Sequence, residues 1–360
     1  MKKVKVKKIY SKGSLIARLI ISIFLIAAIC LIIGFRTEIS KRVYHWDSRL
    51  EGEADFSVHY IDVGQGDATL IEFDDGKNML IDCGPRSSAD SLVSYIQNLE
   101  IQTIDYFLLT HADEDHVGGG VKIFDNFEIK NFYRPLTRSL SESEPEDYYV
   151  HDTIVYDNVI RAFYEEEGAK MFYAAEATNI VGENYVVKII YPDKSYSDTN
   201  ATSAVLHAEL GGTKFLFMGD AAHAQETKII KKYGSSLKAD VLKVGHHGAK
   251  TSTSTNLLSC VDPDYAVISA GEGNKYGHPT EEVLNNLKQY NVAYFTTIDY
   301  GNIVFKTKDG KIYTGIEQGK MIDYALIVAI LGVILLIVWG IPDFKKKKQP
   351  TRENKKDIKK

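Results

Sequence analysis

Hydrophobic and polar positions alternate at the start of the long central region of the chain. From residue 56 to residue 83 the segments FSVHYIDV, DATLIEF and MLIDC each place apolar residues at every second position, and a DDGKN turn separates the last two. A period of two is typical of half-buried strands. The pattern therefore predicts a meander of three strands.

Strands and helices then follow each other to about residue 314. The segments SADSLVSYIQNLE and DTIVYDNVIRAFYEEEG have helical spacing, and TIDYFLLT is a strand between them. A second series of strands, including YVVKIIYP and KFLFMGD, leads to helices at AHAQETKIIKKYG and TEEVLNNLKQY. Two groups of strands with helices after each predict a mixed α/β (α+β) fold in which two sheets pack together inside two helical layers. The acidic stretch SLSESEPEDYYVHD is expected to be a solvated surface loop.

Two uninterrupted apolar runs lie outside this region. Residues 19–35 read LIISIFLIAAICLIIGF and residues 324–341 read YALIVAILGVILLIVWGI, each close to the ~20 residues with which a helix crosses a bilayer. Lysines precede the first run and follow the second, and such basic flanks stay on the cytoplasmic side. The sequence predicts two transmembrane helices, two cytoplasmic termini and an extracytoplasmic central region at the cell membrane. A cleaved signal peptide is the alternative for the first run, although no small-x-small cleavage site follows it.

These patterns divide the chain into segments, which are a cytoplasmic basic segment (1–14), a transmembrane helix (15–35), a linker (36–55), a globular domain (56–317), a second transmembrane helix (322–341) and a basic tail (342–360). Residues 36–320 hold 27 Lys and Arg against 44 Asp and Glu, a formal charge of about −17. Proteins that bind nucleic acid usually carry a basic footprint, so this charge is an objection to a nuclease.

The chain has three cysteines, and Cys30 lies in the first apolar run. Cys83 and Cys260 could form one disulfide in an oxidising exterior, or they could be two unpaired buried thiols. No cysteine spacing is typical of a zinc finger.

The motif HADEDH follows the predicted strand TIDYFLLT and precedes three glycines. It places His111, Asp113, Asp115 and His116 on one tight loop. So many carboxylates and imidazoles in one loop repel each other and are poorly solvated unless a cation lies among them. Ligands with this spacing can serve two adjacent metal ions. The motif therefore predicts a metal site.

Three further strand ends carry residues of the same kind. Asp220 follows FLFMG, His246 and His247 follow LKVG, and His278 lies in the KYGHP turn. A single Gly-Asp pair is more often a turn, and a single histidine is more often structural than a metal ligand. Because four strand ends carry such residues together, the sequence favours one shared metal centre.

The segment KTSTS follows the two adjacent histidines. Lys250, Thr251, Ser252 and Thr253 are candidate contacts to a substrate phosphate. The alternative is a polar helix start in which a Ser or Thr caps the helix.

Six motifs occur in a fixed order between about residue 57 and residue 314: YIDVGQGDATLI, MLIDCG, LLTHADEDHVGG, FMGDA, LKVGHHGAKTSTS and YGHP. In this order they resemble the metallo-β-lactamase superfamily, and within it the extracellular hydrolase domain of ComEC-type competence proteins. The resemblance covers nearly all of the central region. It implies a four-layered αββα sandwich and a metal-dependent hydrolase.

The resemblance also implies a set of metal ligands, namely His111, Asp113, Asp115, His116, Asp220, His246 and His247. The first pair would bind one ion, the second pair would bind the other, and Asp220 would bridge them. One of the two adjacent histidines would complete the second site, and the choice between them stays open. The other one could support a ligand or donate a proton. Asp115, His246 and His278 are the candidate catalytic residues.

Two positions depart from the superfamily pattern. Asp113 stands where the usual loop has a second histidine, and no histidine occurs near Thr199 or Asn200, where one normally precedes the strand that ends in Gly-Asp. Oxygen ligands shift the preference from Zn²⁺ toward Mn²⁺. The sequence therefore predicts two divalent ions, Zn²⁺ or Mn²⁺, and no organic cofactor.

Three functions are compatible with such a site. The resemblance favours a phosphodiesterase or nuclease in which a hydroxide held between the two metal ions attacks the phosphorus atom. A hydrolase of a cell-surface phosphodiester, or of a small ester or lactone, is the alternative, and an acidic surface does not oppose it. A non-catalytic anchored domain is the third hypothesis, but a decayed site would be expected to lose its charged residues.

Overall fold

A computed structural model describes residues 12–34, 54–143, 146–314 and 330–333. The chain divides into two compact units, one that contains the two terminal regions and one that contains residues 40–321.

The terminal unit contains helix α1 (Lys12–Gly34) and a short helical segment at 330–333. A Cβ atom at Gly332 would come within 2.9 Å of Ile29 Cδ1, so the two segments lie in close contact. Counted over the residues whose placement is described, no helix is long and apolar enough to cross a membrane. The rest of the second predicted span, the basic tail, residues 1–11 of the first basic segment and nearly all of the predicted linker lie outside the described residues.

The described residues of the central unit form fifteen strands. Their bounds in chain order are β1 (Phe56–Tyr60), β2 (Thr69–Glu72), β3 (Asn78–Ile81), β4 (Thr103–Leu108), β5 (Glu128–Arg134), β6 (Lys170–Tyr173), β7 (Asn179–Val181), β8 (Tyr185–Tyr191), β9 (Val205–Leu210), β10 (Thr213–Phe217), β11 (Val241–Lys243), β12 (Tyr265–Ile268), β13 (Ala293–Thr296), β14 (Ile303–Lys308) and β15 (Lys311–Thr314). The first sheet has the order β15-β14-β1-β2-β3-β4-β5-β6, and the second has the order β13-β12-β11-β10-β9-β8-β7. Strands β1, β2 and β3 pair antiparallel, which confirms the predicted meander.

Each sheet changes from antiparallel to parallel pairing along its width. The pairs from β3 to β6 are parallel in the first sheet, and the pairs from β10 to β13 are parallel in the second. Parallel strands end at the same edge of a sheet, and loops at their carboxyl ends commonly form binding sites. The polar motifs of the sequence follow these parallel strands.

The remaining helices are α2 (Ala89–Asn98), α3 (Glu114–Val117), α4 (Gly120–Asn126), α5 (Ile154–Glu165), α6 (His223–Tyr233), α7 (Thr255–Val261), α8 (Glu281–Gln289) and α9 (Thr297–Tyr300). Three apolar cores separate the layers. One lies between the sheets, where the ring of Tyr60 contacts those of Phe217 and Phe305. A second lies under α2, α4 and α5, and a third lies under α6, α7 and α8. The layers confirm the predicted αββα sandwich.

The cysteines are unpaired, so the disulfide alternative is wrong. Cys83 is buried in the core of the first sheet, and its thiol donates to the carbonyl oxygen of His116 at 3.2 Å. Cys260 packs against the core of the second sheet. The two side chains belong to different layers and cannot meet.

The acidic loop before α5 is only partly the solvated surface that the sequence predicts. Glu142 in this loop accepts a hydrogen bond of 2.6 Å from Arg134, whose side chain is fully buried at the end of β5. Arg134 also donates to the hydroxyl of Tyr156 on α5 at 2.8 Å. The ion pair between Arg134 and Glu142 therefore fixes the loop to the sheet beneath it.

Candidate metal centre

The predicted metal-site residues converge at the edge where the parallel strands end. The HADEDH loop follows β4, Asp220 follows β10, and the loop with His246 and His247 follows β11. The backbone connects the two sheets here, since the amide of Ala204 donates to the carbonyl oxygen of Thr110 at 2.9 Å. Residues from both sheets therefore form one site.

Two of the groups formed by the candidate ligand atoms share one histidine. His111, His116 and Asp220 have ligand atoms within 4.8 Å of one another, and so do Asp115, His116 and His247. One Asp220 oxygen lies 3.3 Å from His116 Nε2, and the other lies 3.8 Å from both His111 Nε2 and His247 Nε2. Asp220 thus faces histidines of both groups, which is the position that a bridging carboxylate requires.

Hydrogen bonds orient two of the histidines toward the centre. Asp82, which follows β3, accepts from His116 Nδ1 at 2.8 Å and from the Thr110 hydroxyl at 2.7 Å. Because the Thr110 hydroxyl gives its only proton to Asp82, it accepts from His111 Nδ1, which lies 3.0 Å away. Both rings therefore carry a proton on Nδ1, and their Nε2 atoms face Asp220. With a metal ion bound, each ring would keep this proton and use Nε2 as its ligand atom. This tautomer is the one that metal-ligating histidines need.

His247 is oriented in the same way from the second sheet. Its Nδ1 donates to the carbonyl oxygen of Ser269 at 3.0 Å, and its Nε2 lies 3.3 Å from an Asp115 oxygen. Asp67 lies on the Nδ1 side at 3.4 Å and accepts from Lys243 at 2.8 Å. Both Asp67 and Lys243 are buried.

The fit of a metal ion can be tested on buried atoms that lack a partner. Among the described residues, no hydrogen bond is made by Nε2 of His111, His116 and His247 or by Asp220 Oδ1. Leaving buried polar atoms unpaired is costly, and divalent cations commonly satisfy such sets of imidazole and carboxylate ligands. The residues of the site therefore fit divalent metal ions.

The protonation of these histidines agrees with a site that requires positive charge. Burial alone lowers the pKa of His116, but the carboxylates of Asp220 and Asp82 outweigh burial and raise it well above its usual value. Burial likewise opposes protonation of His247, but Asp220 and Asp67 raise its pKa to about 10. Protons on the two rings balance the carboxylates when no metal is bound, so metal ions and protons compete for this centre.

The remaining predicted ligands lie at the border of the two groups. The Asp113 side chain is 38% exposed, and its carboxylate is 3.9 Å from His111 Nε2. His246 is 3.6 Å from Asp220, but its side chain is 27% exposed against 2% for His247. His246 lies outside both close groups, so the geometry favours His247 as the ligand that the sequence left open.

His278 lies beside His246 on the open side of the site. The ring centroids are 5.7 Å apart, and Asn274 accepts from the His278 amide at 3.0 Å, which fixes the turn. Burial and the neighbouring His246 lower the pKa of His278, so its ring is neutral at pH 7. A neutral ring in this position can accept or relay a proton.

The segment KTSTS agrees more closely with the helix-start alternative. Ser254 accepts from the Leu257 amide at 3.1 Å and caps α7. The Ser252 hydroxyl is buried and donates to the Gly245 carbonyl oxygen at 2.6 Å, so it closes the histidine loop and does not face a substrate. Lys250 and Thr251 are exposed, and their contact with substrate stays a prediction.

Four residues at or near the site are not predicted by the sequence patterns, namely Asp67, Asp82, Lys243 and His151. The first two lie inside the motifs GQGDA and LIDCG. Asp67 begins the strand-like segment DATLIEF and Asp82 directly follows β3, and these positions were the available signal. His151 is buried, burial lowers its pKa, and Asp113 and His111 are among the charges that act on it. The His151 amide donates to the backbone carbonyl oxygen of Arg138 at 3.0 Å, in the loop before α5. No local sequence pattern predicts this contact.

Comparison with known proteins assigns the class. The model of the metallo-beta-lactamase superfamily matches residues 61–180 and 193–272, more than half of the chain. The chain therefore belongs to the metallo-β-lactamase superfamily, and this membership supports a metal-dependent hydrolase.

Several of its relatives are ComEC-type competence proteins. ComE operon protein 3 of Bacillus subtilis is 29% identical over 277 residues, which cover 72% of this chain and 33% of that protein. Competence protein ComA of Neisseria gonorrhoeae is 29% identical over 280 residues (77% and 35%), and Recombination protein 2 of Haemophilus influenzae is 31% identical over 253 residues (69% and 28%). The chain thus spans about a third of the length of these curated relatives.

Proposed function

We propose that the protein is a metal-dependent phosphodiesterase that cleaves nucleic acid. The observation that carries the proposal is the arrangement of the two ligand groups. Both groups contain His116, and their histidines lie around the two carboxylate oxygens of Asp220. Two divalent ions in such a cluster would polarise a phosphate oxygen, lower the pKa of water and stabilise the developing negative charge. The residues around them determine the position of the substrate and the path of the protons.

Residues on the open side of the site are suited to those roles. The Asp115 side chain is 30% exposed and adjoins His247, so it can orient an incoming water molecule with one oxygen. His246 and His278 lie next to each other on the same side, where a leaving oxygen would need a proton. Lys250 is exposed three residues after His247 and is a candidate contact for a non-bridging phosphate oxygen.

The proposed substrate is supported by the relatives and opposed by the charge of the domain. Three relatives are named for competence or recombination, which favours nucleic acid. A formal charge of about −17 for residues 36–320 repels a polyanion over most of the surface. The same charge favours the second candidate, a hydrolase of a cell-surface phosphodiester or of a small ester or lactone.

We also propose that the chain is anchored in the cell membrane by its two apolar segments, with the central domain outside the cytoplasm. The support is the length of residues 19–35 and 324–341 and the lysines that flank them. Protease added to intact cells is expected to digest the central domain, and complete protection would refute the placement.

The activity is tested on the full chain, purified in detergent, stripped of metal and reloaded with Zn²⁺ or Mn²⁺. The substrates are single-stranded DNA, duplex DNA and bis-p-nitrophenyl phosphate. Asp220→Asn is compared with Asp262→Asn, a matched change at an exposed residue in an ion pair with Lys238. DNA cleavage that needs metal, is lost in Asp220→Asn and persists in Asp262→Asn supports the nuclease.

Salt dependence separates the two candidate substrates. Cleavage of DNA is expected to fall steeply as the salt concentration rises, because phosphate contacts release counterions. Turnover of the small diester alone, with a flat salt response, would contradict the nuclease and support the second candidate. No metal-dependent turnover of any of these substrates would contradict the phosphodiesterase itself.

A further inference from the structure

Lys243 is a buried lysine at the end of β11, four residues before His247. It is 2% exposed and donates to Asp67 at 2.8 Å and to the Val244 carbonyl oxygen at 3.2 Å. Burying a lysine is costly unless its charge is compensated, and a buried pair is weak support for stability in itself. The position of this ion pair beside a metal centre calls for another explanation.

Asp67 has the position of a metal ligand. Its carboxylate forms one group of possible ligands with Asp220 and His247, and a second with Asp82 and His116, each within 4.8 Å. Asp67 Oδ1 makes no hydrogen bond within the part of the chain that the structure describes, whereas Oδ2 is bound by Lys243. The ammonium group therefore occupies one carboxylate oxygen of Asp67, to which a further cation could otherwise bind.

The charges of the site agree with this arrangement. The centre has five carboxylates, which belong to Asp67, Asp82, Asp113, Asp115 and Asp220. Five carboxylates, one ammonium group and two divalent ions have a formal charge of zero when the histidines are neutral. Without the ammonium group, the same centre with two divalent ions would retain one uncompensated buried negative charge, which is strongly unfavourable.

We propose that Lys243 is a positioning residue that acts as a built-in cation: it holds Asp67 away from the metal ions and limits the centre to two of them. Its charge lowers the affinity of the centre for cations and keeps Asp67 free to support His247 from the Nδ1 side, at 3.4 Å. The inference rests on metal binding by this cluster and is independent of the substrate proposed above.

The test is a cycle of variants, Lys243→Met, Asp67→Asn and the combination of both, in the full chain. Loss of the positive charge in Lys243→Met is expected to tighten binding of Mn²⁺ or Zn²⁺ by at least roughly tenfold, because it removes the Coulomb repulsion between an ammonium group and a divalent ion across several ångströms at an effective dielectric constant of about 20. Asp67→Asn leaves Lys243 uncompensated, so it should weaken binding by a similar factor. The combined variant removes both charges and should bind metal about as well as the wild type does.

Affinity and stoichiometry are measured by competition with a chelator and by the metal content after dialysis. Thermal unfolding with and without metal is recorded in parallel. Lys243→Met should show a larger metal-induced rise in Tm than the wild type, because a metal ion then neutralises Asp67. Lys130→Met serves as the control, since Lys130 is paired at 2.8 Å with the largely buried Asp105 in the first sheet, outside the ligand groups.

A purely structural ion pair would give a different result. Lys243→Met and Asp67→Asn would both lower Tm and both weaken metal binding, and this outcome would overturn the inference. If Lys243→Met does not fold, Asp67→Asn and the combined variant decide, because the inference requires the combined variant to bind metal more tightly than Asp67→Asn does. Absence of metal binding by the wild type would instead refute the metal centre itself.

Discussion

Asp82 provides a direct test of how the site fixes its histidines. Its carboxylate is 1% exposed and accepts from the Thr110 amide, the Thr110 hydroxyl and His116 Nδ1, at 2.7, 2.7 and 2.8 Å. In Asp82→Asn the oxygen Oδ1 can still accept from the amide. The new NH₂ group replaces Oδ2 and faces two donors, so both of those hydrogen bonds are lost.

The expected magnitudes follow from these contacts. Two hydrogen bonds to a charged acceptor contribute about 3 kcal/mol together, so the free energy of unfolding of the metal-free protein should fall by about that amount. The ring of His116 can then hydrogen-bond residue 82 only by moving its proton to Nε2, which is the atom that faces Asp220. Loss of such a supporting carboxylate commonly reduces metal affinity by about 10- to 100-fold.

Chemical denaturation of the metal-free protein and chelator competition measure the two effects separately. Asp105→Asn is the matched control, because Asp105 is buried in the same sheet and accepts from the Asn78 amide at 3.1 Å and from Lys130 at 2.8 Å. The control should lose stability but retain its affinity for metal. Unchanged metal affinity in Asp82→Asn, or equal losses in both variants, would refute this account of the histidine orientation.

Four further predictions concern the same centre. Asp220→Asn should lose at least one metal ion per chain and all metal-dependent turnover, and full metal content after dialysis would contradict its place between the groups. Loading the metal-free protein at pH 7 should release about two protons, from His116 and His247, measured by calorimetry in buffers of different ionisation enthalpy; release of none would contradict the raised pKa values. The raised pKa of His247 also makes the free energy of unfolding of the metal-free protein depend on pH. The contribution of His247 should be fully present below about pH 6.5 and should be lost as the pH rises to about 10, because the pKa of this ring is raised from 6.5 to about 10 in the folded state. A denaturation profile that is flat over this range would refute this prediction. Gly66→Ala should reduce metal affinity, because a Cβ there would collide with the Asp115 carbonyl oxygen, and an unchanged metal affinity would show that this loop can move.

Local pattern was sufficient for much of the fold. In β1, β2 and β3, alternate side chains point to opposite faces of the first sheet, and each face packs against an apolar core. Val58 is buried in the core on one side of the sheet, and Leu70 is buried in the core on the other side. The residues of HADEDH were recognisable because polar groups directly after a buried strand are costly without a function. Both signals arise from residues that are close together in the chain, so they can be recognised from the sequence alone.

Other features depend on partners that are distant in the chain. Lys243 and Asp67 are separated by 176 residues, so neither can be recognised as half of a buried ion pair before the sheets are packed. The loop that carries His151 is fixed by the hydroxyl of Ser195, which accepts from the Tyr149 amide at 2.9 Å. Such tertiary contacts decide which polar residues are buried, and no periodicity reports them.

The measurement that tests the central claim most directly is a titration of the metal-free full chain with Mn²⁺ or Zn²⁺, in which bound metal and phosphodiester cleavage are followed together. The account predicts binding of two ions per chain, turnover that appears with metal loading, and loss of turnover in Asp220→Asn at equal protein concentration. A chain that binds no divalent metal ion, or that cleaves the phosphodiester equally well without metal, would contradict it.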